Sequence, residues 1–131
     1  MKTLKTLTVM ALLALTASCK REENDNTAGK GGNALLRCVP KHHNVSKNIL
    51  NGKIFIKYNA QDAPASFDDS ASCIMTDGQP MATFSGLKAG KYYLYGNGFD
   101  TSINQGVKGG LPYTISSETT LDVTIPVTEG D

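Results

Sequence analysis

An all-β fold, a seven-stranded two-sheet β-sandwich, is predicted by three features of this 131-residue chain. Short runs of β-branched and aromatic residues recur at spacings of roughly ten residues between positions 34 and 127. Turn-forming residues separate them, drawn from a pool of 13 Gly and 5 Pro. No window in that stretch carries the apolar spacing of three and four that an amphipathic helix requires.

The strands follow in order. Residues 34–39 (ALLRCV) are the first. Residues 53–58 (KIFIKY) place Ile54, Ile56 and Tyr58 on one face and Phe55 and Lys57 on the other, because side chains alternate along a strand. Residues 72–76 (SCIMT) and 81–84 (MATF) flank Asp77-Gly78, a tight-turn pair, and Pro80 shortens the start of the second. Residues 91–95 (KYYLY) are the strongest run. Residues 111–116 and 119–127 (TTLDVTIPV) close the chain, the latter with Leu121, Val123, Ile125 and Val127 on one face.

Composition narrows the function classes. Thirteen Lys+Arg against 12 Asp+Glu is too balanced for a nucleic-acid binder or a polybasic membrane patch. A mean hydropathy of -0.23 excludes a polytopic membrane protein. Five Tyr and four Phe in a 40% hydrophobic chain exclude a wholly disordered one.

The first 18 residues read as a leader. Lys2 and Lys5 precede the apolar run 7–15 (LTVMALLAL), which would span roughly 14 Å as a helix, about half of a bilayer core. A basic start, short apolar run and small-residue exit describe a secretory signal peptide. The exit, Leu15-Thr16-Ala17-Ser18-Cys19, resembles the bacterial lipobox, with Thr16 where Leu is commonest. That resemblance implies a diacylglycerol on the Cys19 thiol and cleavage before it. Each buried CH₂ contributes about 0.8 kcal/mol, so two or three acyl chains hold a protein on a membrane almost permanently. Residues 19–33 are then a lipidated Cys and a disordered tether, and residues 34–131 the folded domain. The acidic cluster Glu22-Glu23-Asn24-Asp25 resembles the surface-export signal of one large group of Gram-negative bacteria. It implies the outer face of the cell outer membrane; a plain polar tether, and the periplasmic face, is the alternative.

Residues 84–95 (FSGLKAGKYYLY) resemble the signature of carboxypeptidase regulatory-like domains, whose fold is transthyretin-like (prealbumin-like, Ig-like in outline). In that family an aromatic and a Leu precede a Gly turn, and an inward Tyr and aliphatic follow it. Phe84, Leu87, Tyr92 and Leu94 occupy those places. Residues 51–56 and the closing alternating strand match in order and spacing. The resemblance implies a fold and no activity. Related adhesin repeats form Lys–Asn isopeptide links, but the last strand here offers Asp122 and no Asn, so none is expected.

Few residues suggest chemistry. With Cys19 taken by lipid, Cys38 and Cys73 form an even pair, read either as one disulfide or as two buried thiols. His42 and His43 are consecutive; on a strand they point to opposite faces, so no metal site is expected. Asp62, Asp68, Asp69 and Asp77 read as solvated loop acids, without the spacing of an EF-hand. No nucleophile elbow, P-loop or Rossmann motif is present, and neither a cofactor nor catalysis is expected. Asp69-Ser70-Ala71 resembles an O-glycosylation acceptor of exported proteins, which points to Ser70.

With Ile54, Ile56, Tyr92 and Leu94 inward, Phe55, Lys57, Tyr93 and Tyr95 face outward on neighbouring strands. Such an aromatic patch either binds a glycan, a partner protein or its own copy, or is covered by the loop of residues 99–108. The chain therefore reads as an outer-membrane lipoprotein acting as a non-catalytic binding module for glycan or protein. The alternative is a structural accessory subunit of an envelope complex with no ligand of its own.

Overall fold

The computed structural model describes residues 27–130. The leader, Cys19 and the tether as far as residue 26 lie outside the described residues. Eight strands form: β1 (Lys30–Lys41), β2 (Ile49–Tyr58), β3 (Asp69–Ser72), β4 (Ile74–Thr76), β5 (Gln79–Leu87), β6 (Gly90–Asp100), β7 (Gln105–Ile115) and β8 (Thr120–Pro126). They make two four-stranded sheets, in the orders β4-β5-β1-β8 and β3-β2-β6-β7. The first and last strands pair in parallel; the other pairings are antiparallel.

The alternation along each strand decides what is inside. Leu36, Ile54, Ile56, Leu87, Leu94 and Ile125 are fully buried, and one apolar cluster joins residues of both sheets. Phe84 and Tyr92, two of the residues on which the family resemblance rests, lie in the same cluster. At β7 the sheets are tied together by the Lys108–Thr128 bridge, with a 2.9 Å hydrogen bond in each direction.

Eight strands replace the seven expected because the run 72–76 divides. Ser72 ends β3 in one sheet and Ile74 begins β4 in the other, with Cys73 at the switch, where its N–H donates to the Gly52 carbonyl at 2.7 Å. This is a corner at which one extended segment serves both sheets.

The folded body also starts earlier than residue 34. β1 begins at Lys30, and Ala28 is buried in the core cluster. The Tyr92 hydroxyl explains it. It accepts the Gly29 N–H at 2.8 Å and donates to the Lys88 carbonyl, four residues upstream, at 2.7 Å. A Tyr reaching back from the start of a strand to the preceding corner is the tyrosine corner of β-sandwiches. Here it also clamps the incoming chain. The Lys88 N–H donates to the Gly29 carbonyl at 2.8 Å, and the Ala28 N–H to Asn59 Oδ1 at 2.8 Å. Gly90 is required beneath this segment: its φ is +154°, and a Cβ there would lie 3.0 Å from Ala28.

Candidate functional site

The outer face of β3-β2-β6-β7 gathers the aromatic residues. Register pairs Phe55 with Tyr95 and Lys57 with Tyr93 across β2 and β6, so the four residues read as outward from the sequence lie side by side. All four are half-buried. The cover differs from the loop expected over residues 99–108, since β6 and β7 extend through most of it and leave only residues 101–104 as a turn. Phe67, from the loop before β3, packs on the patch instead. Its ring centroid lies 5.4 Å from Phe55 and 5.7 Å from Tyr95, and Phe55 and Tyr95 are 6.0 Å apart. Such separations are those of interacting rings.

The charged neighbours are engaged. Lys57 Nζ contacts Asp68 at 3.4 Å, and Asp68 also accepts the Tyr58 N–H at 2.7 Å, which holds the Phe67 loop down on β2. Lys53 Nζ lies 5.4 Å from the Phe55 ring centre, within cation–π range. Tyr93 lies over Gly110, where any Cβ would meet its ring within 2.8 Å.

Beside the rings an open groove of about 710 Å³ runs along β6 and β7. Its walls carry Asn51, Tyr95, Asn97, Phe99, Gln105 and Lys108, and Gly106 adds no side chain to it. Asn51 reaches it because β2 bulges between Leu50 and Lys53, where Asn51 adopts φ +53°. Three amides, each both donor and acceptor, thus stand next to a row of aromatic rings.

Ser70 is exposed on β3 and paired with Phe55, so its hydroxyl stands at the edge of the same face. Cys38 and Cys73 are free thiols. Cys38 is buried in β1, and Cys73 is half-buried at the switch between the sheets. Burial pushes Cys38 up to about 12 and Cys73 up to about 11. Both stay protonated and weakly nucleophilic at neutral pH. The four loop aspartates do not converge. Asp68 and Asp69 bind backbone N–H groups of Tyr58 and Ser70, and Asp77 sits in the β4–β5 turn.

The histidines depart from the strand geometry expected of them. The chain reverses between His42 and Val45, closed by hydrogen bonds of 2.9 Å in each direction, with His43 at φ +47° and Asn44 at φ +64°. The two rings therefore come to one side, with centroids 4.1 Å apart. His42 is 4% exposed and Asp100 3%. His42 Nδ1 faces Asp100 Oδ2 at 2.7 Å, and Nε2 hydrogen-bonds Glu129 Oε2. The hydrogen bond to Asp100 and then the Glu129 contact hold the imidazole above its usual value despite burial. Asp100 is held below the carboxylate range, first by Ser102 and then by His42.

Four contributors give little signal in the sequence. Phe67 was the lone aromatic of a polar loop, Asn51 and Asn97 flank glycines as turn residues would, and Glu129 follows the last strand. Compared with known proteins, the chain matches no family model, no curated protein and no solved structure.

Proposed function

We propose that this chain is a lipid-anchored envelope protein, held on Cys19 at the outer membrane, whose β-domain is a non-catalytic module binding carbohydrate on the outer face of β3-β2-β6-β7. The observation that carries the reading is the continuity of the Phe55–Phe67–Tyr95 rings with the amide-lined groove. A sugar ring presents a C–H face that stacks on aromatics and a rim of hydroxyls that amide groups match as donors and acceptors. The groove volume lies in the range of small-ligand sites. A transthyretin-like reading of the sandwich is supported by the burial of Phe84, Leu87, Tyr92 and Leu94. A non-catalytic role is supported by Ser102, whose hydroxyl donates to Asp100 and not to the imidazole, so no activated nucleophile forms there.

A glycan array probed with the full chain tests the site. Binding is expected to weaken roughly 10–100-fold in Tyr95→Ala and in Asn97→Ala, as for a central contact residue. Retained binding in both variants removes the groove from consideration. The anchor is tested separately, since palmitate incorporation in cells is expected for the wild type and lost in Cys19→Ser. Equal labelling of the two would refute lipidation at that residue.

A second reading, an accessory subunit without a ligand, is favoured by β4. This three-residue edge strand leaves Ile74 72% and Met75 56% exposed, and apolar edges invite protein partners. Ile74→Lys would then release the partner, and the array would show no glycan bound by either the variant or the wild type.

A further inference from the structure

We propose that His42, His43 and Glu129 form a binding site for a divalent transition ion of the zinc class, with Asp100 as the buried carboxylate that orients the His42 ring. Ligand atoms of the three residues all lie within 4.8 Å of one another. A tetrahedral zinc ion bonds nitrogen and oxygen at about 2.0–2.2 Å, so its ligands lie roughly 3.3–3.5 Å apart. His43 and Glu129 are exposed and can adjust to that spacing by side-chain rotation, Glu129 by drawing back from the ring, whereas His42 is already buried in position.

The surroundings have the form that metal-bound histidines need. A ligating imidazole donates its second N–H to a carboxylate, which fixes the tautomer and aims the other nitrogen at the ion. Asp100 Oδ2 takes His42 Nδ1 at 2.7 Å, and Asp100 Oδ1 is itself held by the Ser102 N–H at 2.8 Å and the Ser102 hydroxyl at 2.5 Å. Nε2 is then directed at Glu129, the side from which an ion would be bound. The Lys108–Thr128 bridge places Glu129 there by anchoring the residue before it. Two imidazoles and one carboxylate suit zinc and its transition-metal neighbours and leave a coordination position open. Calcium and magnesium favour shells of six or more oxygens, which one carboxylate does not supply. The inference uses none of the aromatic or amide residues of the carbohydrate groove and stands or falls apart from it.

The chain contains two histidines in all, so imidazole NMR signals report on this site alone. Full-length protein carrying Cys19→Ser, labelled at histidine and freed of metal by chelation, would be titrated with Zn²⁺. Both imidazole signals are expected to shift together and to saturate at one equivalent, with no such response to Ca²⁺ or Mg²⁺. His43→Ala and Glu129→Gln alter exposed side chains and leave the fold intact; each is expected to weaken binding by about 10-fold or more. No saturable shift, an equal response to Ca²⁺, or an affinity unchanged in either variant would overturn the site.

Discussion

Tyr92→Phe is expected to lower the stability of the domain by about 1–3 kcal/mol, although it removes a single oxygen atom. That oxygen accepts the N–H of buried Gly29 and donates to the Lys88 carbonyl, and a buried group that loses its partner costs about that much. For a domain of this size, 1 kcal/mol corresponds to roughly 4–8 °C in melting temperature, so a drop of about 5–20 °C is expected. The loss should be accompanied by early protease cleavage near residues 28–29, because the same hydroxyl holds the entering chain. Tyr113→Phe is the control. Its ring is partly buried against the core, and it should change stability by no more than about 0.5 kcal/mol. Equal melting temperatures for the two variants would show that the corner contributes nothing.

Gly109→Ala should destabilise the domain by about 1–3 kcal/mol, an effect opposite to intuition for adding one methyl group to a strand. A Cβ at Gly109 would lie 2.3 Å from the Pro126 carbonyl oxygen and 3.2 Å from Val127 Cα. Both obstacles are backbone, so neither can rotate away. The collision falls where the Lys108–Thr128 bridge joins β7 to the end of β8, which is where the two sheets are tied. Gly106→Ala, three residues earlier on the same strand, meets nothing closer than 3.9 Å and should be neutral within about 0.5 kcal/mol. Urea unfolding midpoints separate the cases. A Gly109→Ala midpoint equal to that of Gly106→Ala would contradict the close approach.

Alternation carried most of what could be read beforehand. Ile54/Ile56, Tyr92/Leu94 and Val123/Ile125/Val127 each sit at period two, and all are buried. The outward set Phe55, Lys57, Tyr93 and Tyr95 followed by the same parity. What parity does not reveal is where a strand changes partners. The break at Cys73 has no Gly or Pro to mark it; it is made by a hydrogen bond to Gly52, far away in sequence. The start of β1 was hidden for a similar reason. Lys30-Gly31-Gly32-Asn33 has the composition of a coil, and its order comes from Tyr92, 63 residues downstream of Gly29.

The sites divide along the same line. Rings on strands were legible, whereas Phe67 reached them from a loop whose path depends on Asp68 binding the Tyr58 N–H. A regular strand would set His42 and His43 on opposite faces. Left-handed backbone at His43 and Asn44 turns the second ring onto the first, and Asn and His are among the non-glycine residues that tolerate it best.

Backbone amide NMR of the full chain, titrated with the oligosaccharide that binds best on the array, tests the ligand face most directly. Perturbations are expected at Asn51, Phe55, Tyr95, Asn97 and Gln105, with β4-β5-β1-β8 unchanged. Shifts centred on Arg37, Asp122 and their neighbours on the opposite sheet, or none at saturating sugar, would contradict it.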